Sequence, residues 1–236
     1  MLAFARVKPR DILDQTLTPD GDPLELVREG GHFVLRVASI PLMSSAAHGS
    51  EQAMAKVAAE VLGERKAPRV LVGGLGMGYT LRAALDTFGR RARVTVAELL
   101  PPLVRYNHGV LGHLARHPLR DPRVTLFEGD VRAPLAEGGW DVVLMDVDNG
   151  PDALTADDNE TLYGDAGAAL MARALSPGGV LVVWSAYPSR AFERTLRRAG
   201  CETHTRRVAA RPGGKGSKHV LFVGKSPRST QGRGKS

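Results

Sequence analysis

RVLVGGLGMGYTLRAAL, residues 69–85, carries an apolar β-branched run straight into Gly73, Gly74, Gly76 and Gly78 and then into a helical stretch. Glycine lets the backbone turn sharply and approach a ligand with no Cβ in the way. Four glycines on one strand-to-helix turn exceed what turning alone requires, so a bound ligand is expected there. The spacing is G-G-x-G-x-G, not the G-x-G-x-x-G with which dinucleotide binders present a helix start to a pyrophosphate, which argues against nicotinamide chemistry.

Working outward, the same alternation continues. RVTVAEL (93–99), RVTLFEG (123–129), WDVVLMDV (140–147) and GVLVVWSA (179–186) are short apolar runs separated by helical stretches. Such strands are covered on both faces and pair in parallel. A helix is expected over Ser189–Ala199, after which CETHTRRVAA and KHVLFVGK, joined by RPGGKGS, close the sheet with a hairpin. Before the glycine turn, residues 1–45 read as short strands. Leu24 and Leu26, then Phe33, Leu35 and Val37, alternate around the turn sequences PDGDP and REGGH. A helix at about Ser50–Gly63 leads into the main domain. The expected organisation is a small antiparallel β subdomain over 1–48, a Rossmann-like domain over 49–224 and a disordered basic tail over 225–236.

Composition bounds the rest. The 236 residues are 43% hydrophobic, enough for one substantial core. No apolar run reaches the roughly 18–20 residues of a membrane-spanning helix, and MLAFARV is too short for a signal-peptide core, so a cytoplasmic protein is expected. The lone Cys201 forms no intrachain disulfide and supplies no zinc pattern. His113 and His117 are spaced i, i+4 but have no supporting carboxylate motif, so no metal is expected. The net charge of +7 is an average of unlike parts. From Arg190 onward 13 Lys and Arg face only Glu193 and Glu202, a net of +11, and residues 1–189 sum to −4. Between Ala133 and Ala172 there are nine acids and no base. That acidic stretch favours a small cationic amine as substrate and argues against nucleic acid, for which aromatic stacking platforms are also few.

Three acids fall at successive strand ends, outside which open α/β sheets bind ligands. Glu98 can accept hydrogen bonds from both ribose hydroxyls of a nucleoside. Asp130, with the adjoining Val131, ends the third strand, where an acid can accept from an adenine amine. Asp146 directly follows the apolar run VVLM and is the best placed functional carboxylate. Tyr106, Asn107 and His108 read as structural, and Trp184 as core or pocket wall.

GGLGMG after a strand, Glu98, Gly129–Asp130 and the D-x-D-N-G-P segment at Asp146–Pro151 resemble the spermidine synthase family, aminopropyltransferases on the class I AdoMet-dependent methyltransferase fold. The resemblance covers nearly the whole chain. It implies an α/β fold of five parallel strands ending in an antiparallel hairpin. It also implies transfer of an aminopropyl group from decarboxylated AdoMet to a polyamine-type amine, with Asp146 assisting deprotonation. Gly73, Gly74, Gly76, Gly78, Glu98, Asp130 and Val131 would hold the donor, and Asp148, Asn149, Glu51 and His48 the acceptor. A homodimer is compatible with it. The chain departs from the family pattern in the glycine turn, which reads GGGDGG in the family but has Leu75 and Met77 and no acid here, and also at Gly49-Ser50-Glu51, at Leu100 and at Trp184-Ser185-Ala186. The adenosine half of the site is thereby kept. Whether aminopropyl moves, or methyl from AdoMet itself, stays open, as do an RNA-modifying enzyme and a silent adenosine- or polyamine-binding module.

Overall fold

The computed structural model describes residues 10–147 and 162–228. The chain divides into two compact units, Met1–His48 and Gly49–Ser236.

The first unit is an antiparallel meander of β1 (Arg10–Leu17), β2 (Pro23–Glu29), β3 (His32–Val37) and β4 (Ile40–Ser44). Gly30 and Gly31 both take positive φ between the paired Glu29 and His32, the two-residue hairpin loop that matches strand twist. Ala38 and Ser39 do the same between Val37 and Ile40 without glycine, a turn that composition does not signal. Leu24, Leu26 and Leu35 are buried as alternation predicts, whereas Phe33 and Val37 stay half-buried and Val34 is buried instead.

The second unit holds a seven-stranded sheet in the order β10-β11-β9-β8-β5-β6-β7. β5 (Arg69–Gly73), β6 (Arg93–Glu98), β7 (Val124–Glu128), β8 (Trp140–Met145) and β9 (Leu175–Ser185) are parallel. β11 (Lys215–Lys225) runs antiparallel to β9 and pairs with β10 (Glu202–Arg211). This is the expected class I methyltransferase arrangement. Helices α1 (Gly49–Leu62), α2 (Tyr79–Thr87), α3 (Pro101–His108), α4 (Arg132–Glu137), α5 (Asp165–Ala174) and α6 (Arg190–Arg198) complete it.

Strand pleating splits the core in two, because successive side chains point to opposite faces. Val70, Val72, Val142, Leu144, Val180 and Val182 pack with Met54, Ala58 and Leu81 of α1 and α2. Leu71, Val143, Met145, Leu181 and Val183 pack on the other face with Met171 of α5 and with Phe192 and Leu196 of α6. Each fully buried aliphatic side chain contributes about 1.5–3 kcal/mol, so the sheet's centre is the best stabilised part of the chain.

The carboxyl ends of the central strands are tied to one another. Asp146 N–H donates to Gly73 O (2.8 Å), Gly74 N–H to Ala97 O (2.9 Å) and Gly129 N–H to Glu98 O (2.8 Å). At the other border, Ser226 N–H donates to Gly179 O and Gly178 N–H to Pro227 O. Bonded backbone therefore extends past residue 225, where the tail was expected to begin. Residues 229–236 lie outside the described residues.

Candidate functional site

The glycine turn is built first by the protein's own packing. Gly74, Gly76 and Gly78 have positive φ (85°, 51° and 83°), which side-chain-bearing residues rarely adopt. A Cβ on Gly74 would sit 2.3 Å from the carbonyl oxygen of Asp146, and one on Gly78 would sit 2.9 Å from Asn107 Oδ1. Gly73 faces Met145 and Val131, whose Cγ2 would be 3.0 Å from an added Cβ, so Val131 acts here as a buried packing residue. Asn107 Nδ2 donates to Gly76 O (2.8 Å) and Leu103 O (2.9 Å), fastening the turn to α3. Leu75 and Met77 are buried, and Leu75 joins the core, so neither side chain of the glycine turn offers a polar group.

Glu98 is buried beneath this turn. One carboxylate oxygen accepts from Leu75 N–H and the other from Leu100 N–H, both at 2.8 Å. Burial raises its pKa, and backbone donors from Leu100, Leu75, Gly76 and Leu99 oppose the rise. These backbone donors fix both oxygens of the carboxylate beside the turn. Asp130 is more exposed and is held by Arg132. Nε and Nη2 of that arginine reach one oxygen at 2.7 and 2.5 Å, and its backbone N–H reaches the other at 2.8 Å. The side-chain bonds from Arg132 keep the Asp130 carboxyl below its ordinary value. An adenine amine at Asp130 would share that carboxylate with Arg132.

Asp146 lies where β8 ends, beside the glycine turn. Its Oδ2 accepts a 2.5 Å hydrogen bond from Thr80 Oγ1, on the first turn of α2. The residue keeps some exposed surface while its carboxyl is closely surrounded by protein. Burial raises its pKa to about 6 against the opposing bond from Thr80. Glu51, on the first turn of α1, is pushed higher, to about 8, by burial first and the charge of Asp146 second. Two carboxyls that crowd one site cannot both ionise cheaply, so the pair retains a proton near neutrality. Tyr79 is pushed up to about 12 by burial and by Glu51.

A chain of polar groups runs from Glu51 to the hairpin. Ser50 Oγ donates to Glu51 Oε2 (2.7 Å) and lies 2.9 Å from His219 Nδ1. The His219 ring meets Trp184 edge to face at 4.8 Å, and burial lowers its pKa. Trp184 is thus a wall on the α1 side of the sheet. Its Nε1 is buried and has no hydrogen-bond partner among the described residues.

The geometry therefore brings Glu51 and Asp146 together, with Glu98 under the neighbouring turn. His48 closes the first unit, its Nδ1 3.0 Å from Ser45 O. Asp148 and Asn149 lie outside the described residues. Thr80, Ser50, Tyr79 and His219 were not anticipated. Thr80 follows the last turn glycine by two residues, which was the available signal, but His219 comes from a hairpin with no motif of its own.

No protein-family model matches the sequence, and no curated protein matches it. Solved structures do match. A spermidine synthase solved in complex with the transition-state analogue AdoDATO superposes with a TM-score of 0.70 at 14% identity, covering 91% of this chain and 72% of that one. The chain has the spermidine synthase fold. The enzyme of that name from Thermotoga maritima gives a TM-score of 0.71 at 15% identity with the same coverage, and a probable spermidine synthase from Corynebacterium glutamicum gives 0.62 at 18%, covering 91% and 80%. Among the described residues no helix is long and apolar enough to cross a membrane.

Proposed function

We propose that the chain is a spermidine synthase-like transferase that moves an aminopropyl group from decarboxylated AdoMet to a small, cationic, polyamine-type amine in the cytoplasm. The observation that carries this is Asp146 at the end of β8, held by Thr80 beside the glycine turn and coupled to Glu51 of α1. The fold it shares with three spermidine synthases, one of them solved with a transition-state analogue, supports the donor class.

Glu98 and the glycine turn would hold the adenosine end of the donor, with Asp130 at the adenine. A sulfonium already polarises the carbon under attack, so the protein's main task is to orient a neutral amine in line with the leaving thioether. An aliphatic amine with pKa near ~10 arrives protonated at neutral pH. Asp146 takes that proton, directly or through water, while the Thr80 hydroxyl fixes the carboxylate's orientation. Its raised pKa makes it a better base than an exposed aspartate. Asp148 or Asn149 would hold the distal ammonium.

Methyl transfer from AdoMet to a small molecule is the second reading. The lack of any acid in Gly73–Gly78 favours it, because the turn offers no carboxylate to the aminopropyl amine. Amine pools incubated with AdoMet and with decarboxylated AdoMet in parallel, read by mass spectrometry, decide between them. A mass gain equal to aminopropyl with the decarboxylated donor supports the proposal. A methyl gain with AdoMet alone overturns it.

A further inference from the structure

A groove of about 310 Å³ opens at the hairpin, lined by Tyr187 and Pro188 from the loop before α6, Arg207 of β10, and Ser217, Lys218 and His219 of β11. The strand register fixes which side chains share its face. Arg207 pairs with Val220 and Ala209 with Lys218, so Arg207 and Lys218 stand diagonally on one face of the hairpin. That face carries Val220 and Phe222 into the α6 side of the core. Trp184 and Val208 pack against the core of the opposite face, the side of the Glu51 site. Diagonal neighbours on antiparallel strands lie about 7–8 Å apart, close enough for two cations to grip one anion of phosphate size.

Several arginines of the second unit are committed. Arg82, Arg116, Arg123, Arg132, Arg197 and Arg198 each hold a carboxylate. Arg207 and Lys218 are exposed and, among the described residues, neither side chain has a hydrogen-bond or ion-pair partner. Two unpaired like charges on adjacent strands repel each other, a cost that a shared counter-anion removes. The Tyr187 ring, 64% exposed at the groove's rim, leaves an apolar face open to solvent beside them. A guanidinium fork, an ammonium and an open aromatic ring are the groups that recognise a phosphate attached to a planar or apolar body.

We propose that this groove is a binding site for a phosphate-bearing ligand, with Arg207 and Lys218 holding the phosphate and Tyr187 covering the group it is attached to. The groove shares only His219 with the polar chain that ends at Glu51, and its cations take the opposite charge to the carboxyl pair. It uses two of the thirteen basic residues of the C-terminal end. The phosphate can belong to a small molecule or to a single-stranded polynucleotide.

The test is a calorimetric titration of the full chain at low salt with inorganic pyrophosphate and, separately, with a short single-stranded RNA. Saturable pyrophosphate binding that weakens about tenfold or more in R207A/K218A, and weakens again with added salt, is expected. Circular dichroism and melting of the variant establish that it stays folded. The D146N variant should bind pyrophosphate as the parent does, so a failure of the transferase assignment does not touch this site. RNA that binds more tightly and is displaced by pyrophosphate assigns the phosphate to a polynucleotide. RNA that does not bind assigns it to a small molecule. Absence of pyrophosphate binding at low salt, or binding undiminished in R207A/K218A, overturns the proposal.

Discussion

Thr80 and Asp146 are joined by a 2.5 Å hydrogen bond that spans from the first turn of α2 to the end of β8. The helix that follows the glycine turn thereby fixes the carboxylate at the neighbouring strand's end. The glycine turn and the proposed base are one mechanical unit, since Asp146 N–H also donates to Gly73 O. Removing the base alone should separate binding from chemistry. D146N keeps the size of the side chain and an oxygen to accept from Thr80, so donor affinity by calorimetry should change little. Turnover should fall about 10²- to 10⁴-fold, the usual contribution of a positioned general base. Equal losses in affinity and turnover would assign Asp146 to binding instead.

Stability should depend on pH through Glu51. Burial lifts its carboxyl from the ordinary 4.5 to about 8, so between these values the folded chain holds a proton the unfolded chain has released. More protons on the folded side mean that stability falls as pH rises through that window. E51Q mimics the protonated form and cannot ionise. The variant should gain melting temperature relative to the parent at pH 8.5 and show little or no gain near pH 4. A parent–variant difference that does not change with pH would refute a raised Glu51 pKa.

Much of this arrangement is legible in the sequence because it follows from strand ends. β5, β6, β7 and β8 run into Gly73, Glu98, Glu128–Gly129 and Asp146, and an apolar run followed by glycine or acid marks each border. The pairing of Glu51 with Asp146 is less visible. It depends on how α1 lies across the sheet, and a first-turn glutamate also has an ordinary role complementing the helix dipole. His219 is still less visible, since it reaches Ser50 across 169 residues of chain. The glycines carry a different lesson. Four of them suggest a ligand, yet Gly74 and Gly78 are already required by Asp146 and Asn107 within the folded chain.

That requirement can be measured at Gly74. Gly74→Ala meets both a φ of 85° and the Asp146 carbonyl at 2.3 Å, whereas Gly200→Ala meets a φ of 95° with nothing within 4 Å. The backbone conformation alone costs about 1–3 kcal/mol at either position. Denaturant unfolding should therefore show G74A to be the less stable of the two, the excess reporting the close approach of the turn to Asp146. G74A should also lose donor affinity, and G200A should not. Equal stability losses would mean that the turn yields without disturbing β8.

The tautomer of His219 should report the charge on Glu51. An ionised carboxylate only accepts, so above the Glu51 pKa the Ser50 hydroxyl must spend its single proton on Glu51. Ser50 Oγ then has only lone pairs to offer His219, 2.9 Å away, and the imidazole must carry its proton on Nδ1. Burial keeps the ring neutral by lowering its pKa, so the tautomer rather than the charge is what changes. Nitrogen-15 chemical shifts of the ring at pH 9 should show a neutral Nδ1–H form. S50A removes the acceptor and should shift the ring toward Nε2–H, while raising the Glu51 pKa further because the Ser50 bond had been lowering it. An Nε2–H ring in the parent at pH 9 would mean that Ser50 donates to His219 and that Glu51 is not held by this hydroxyl.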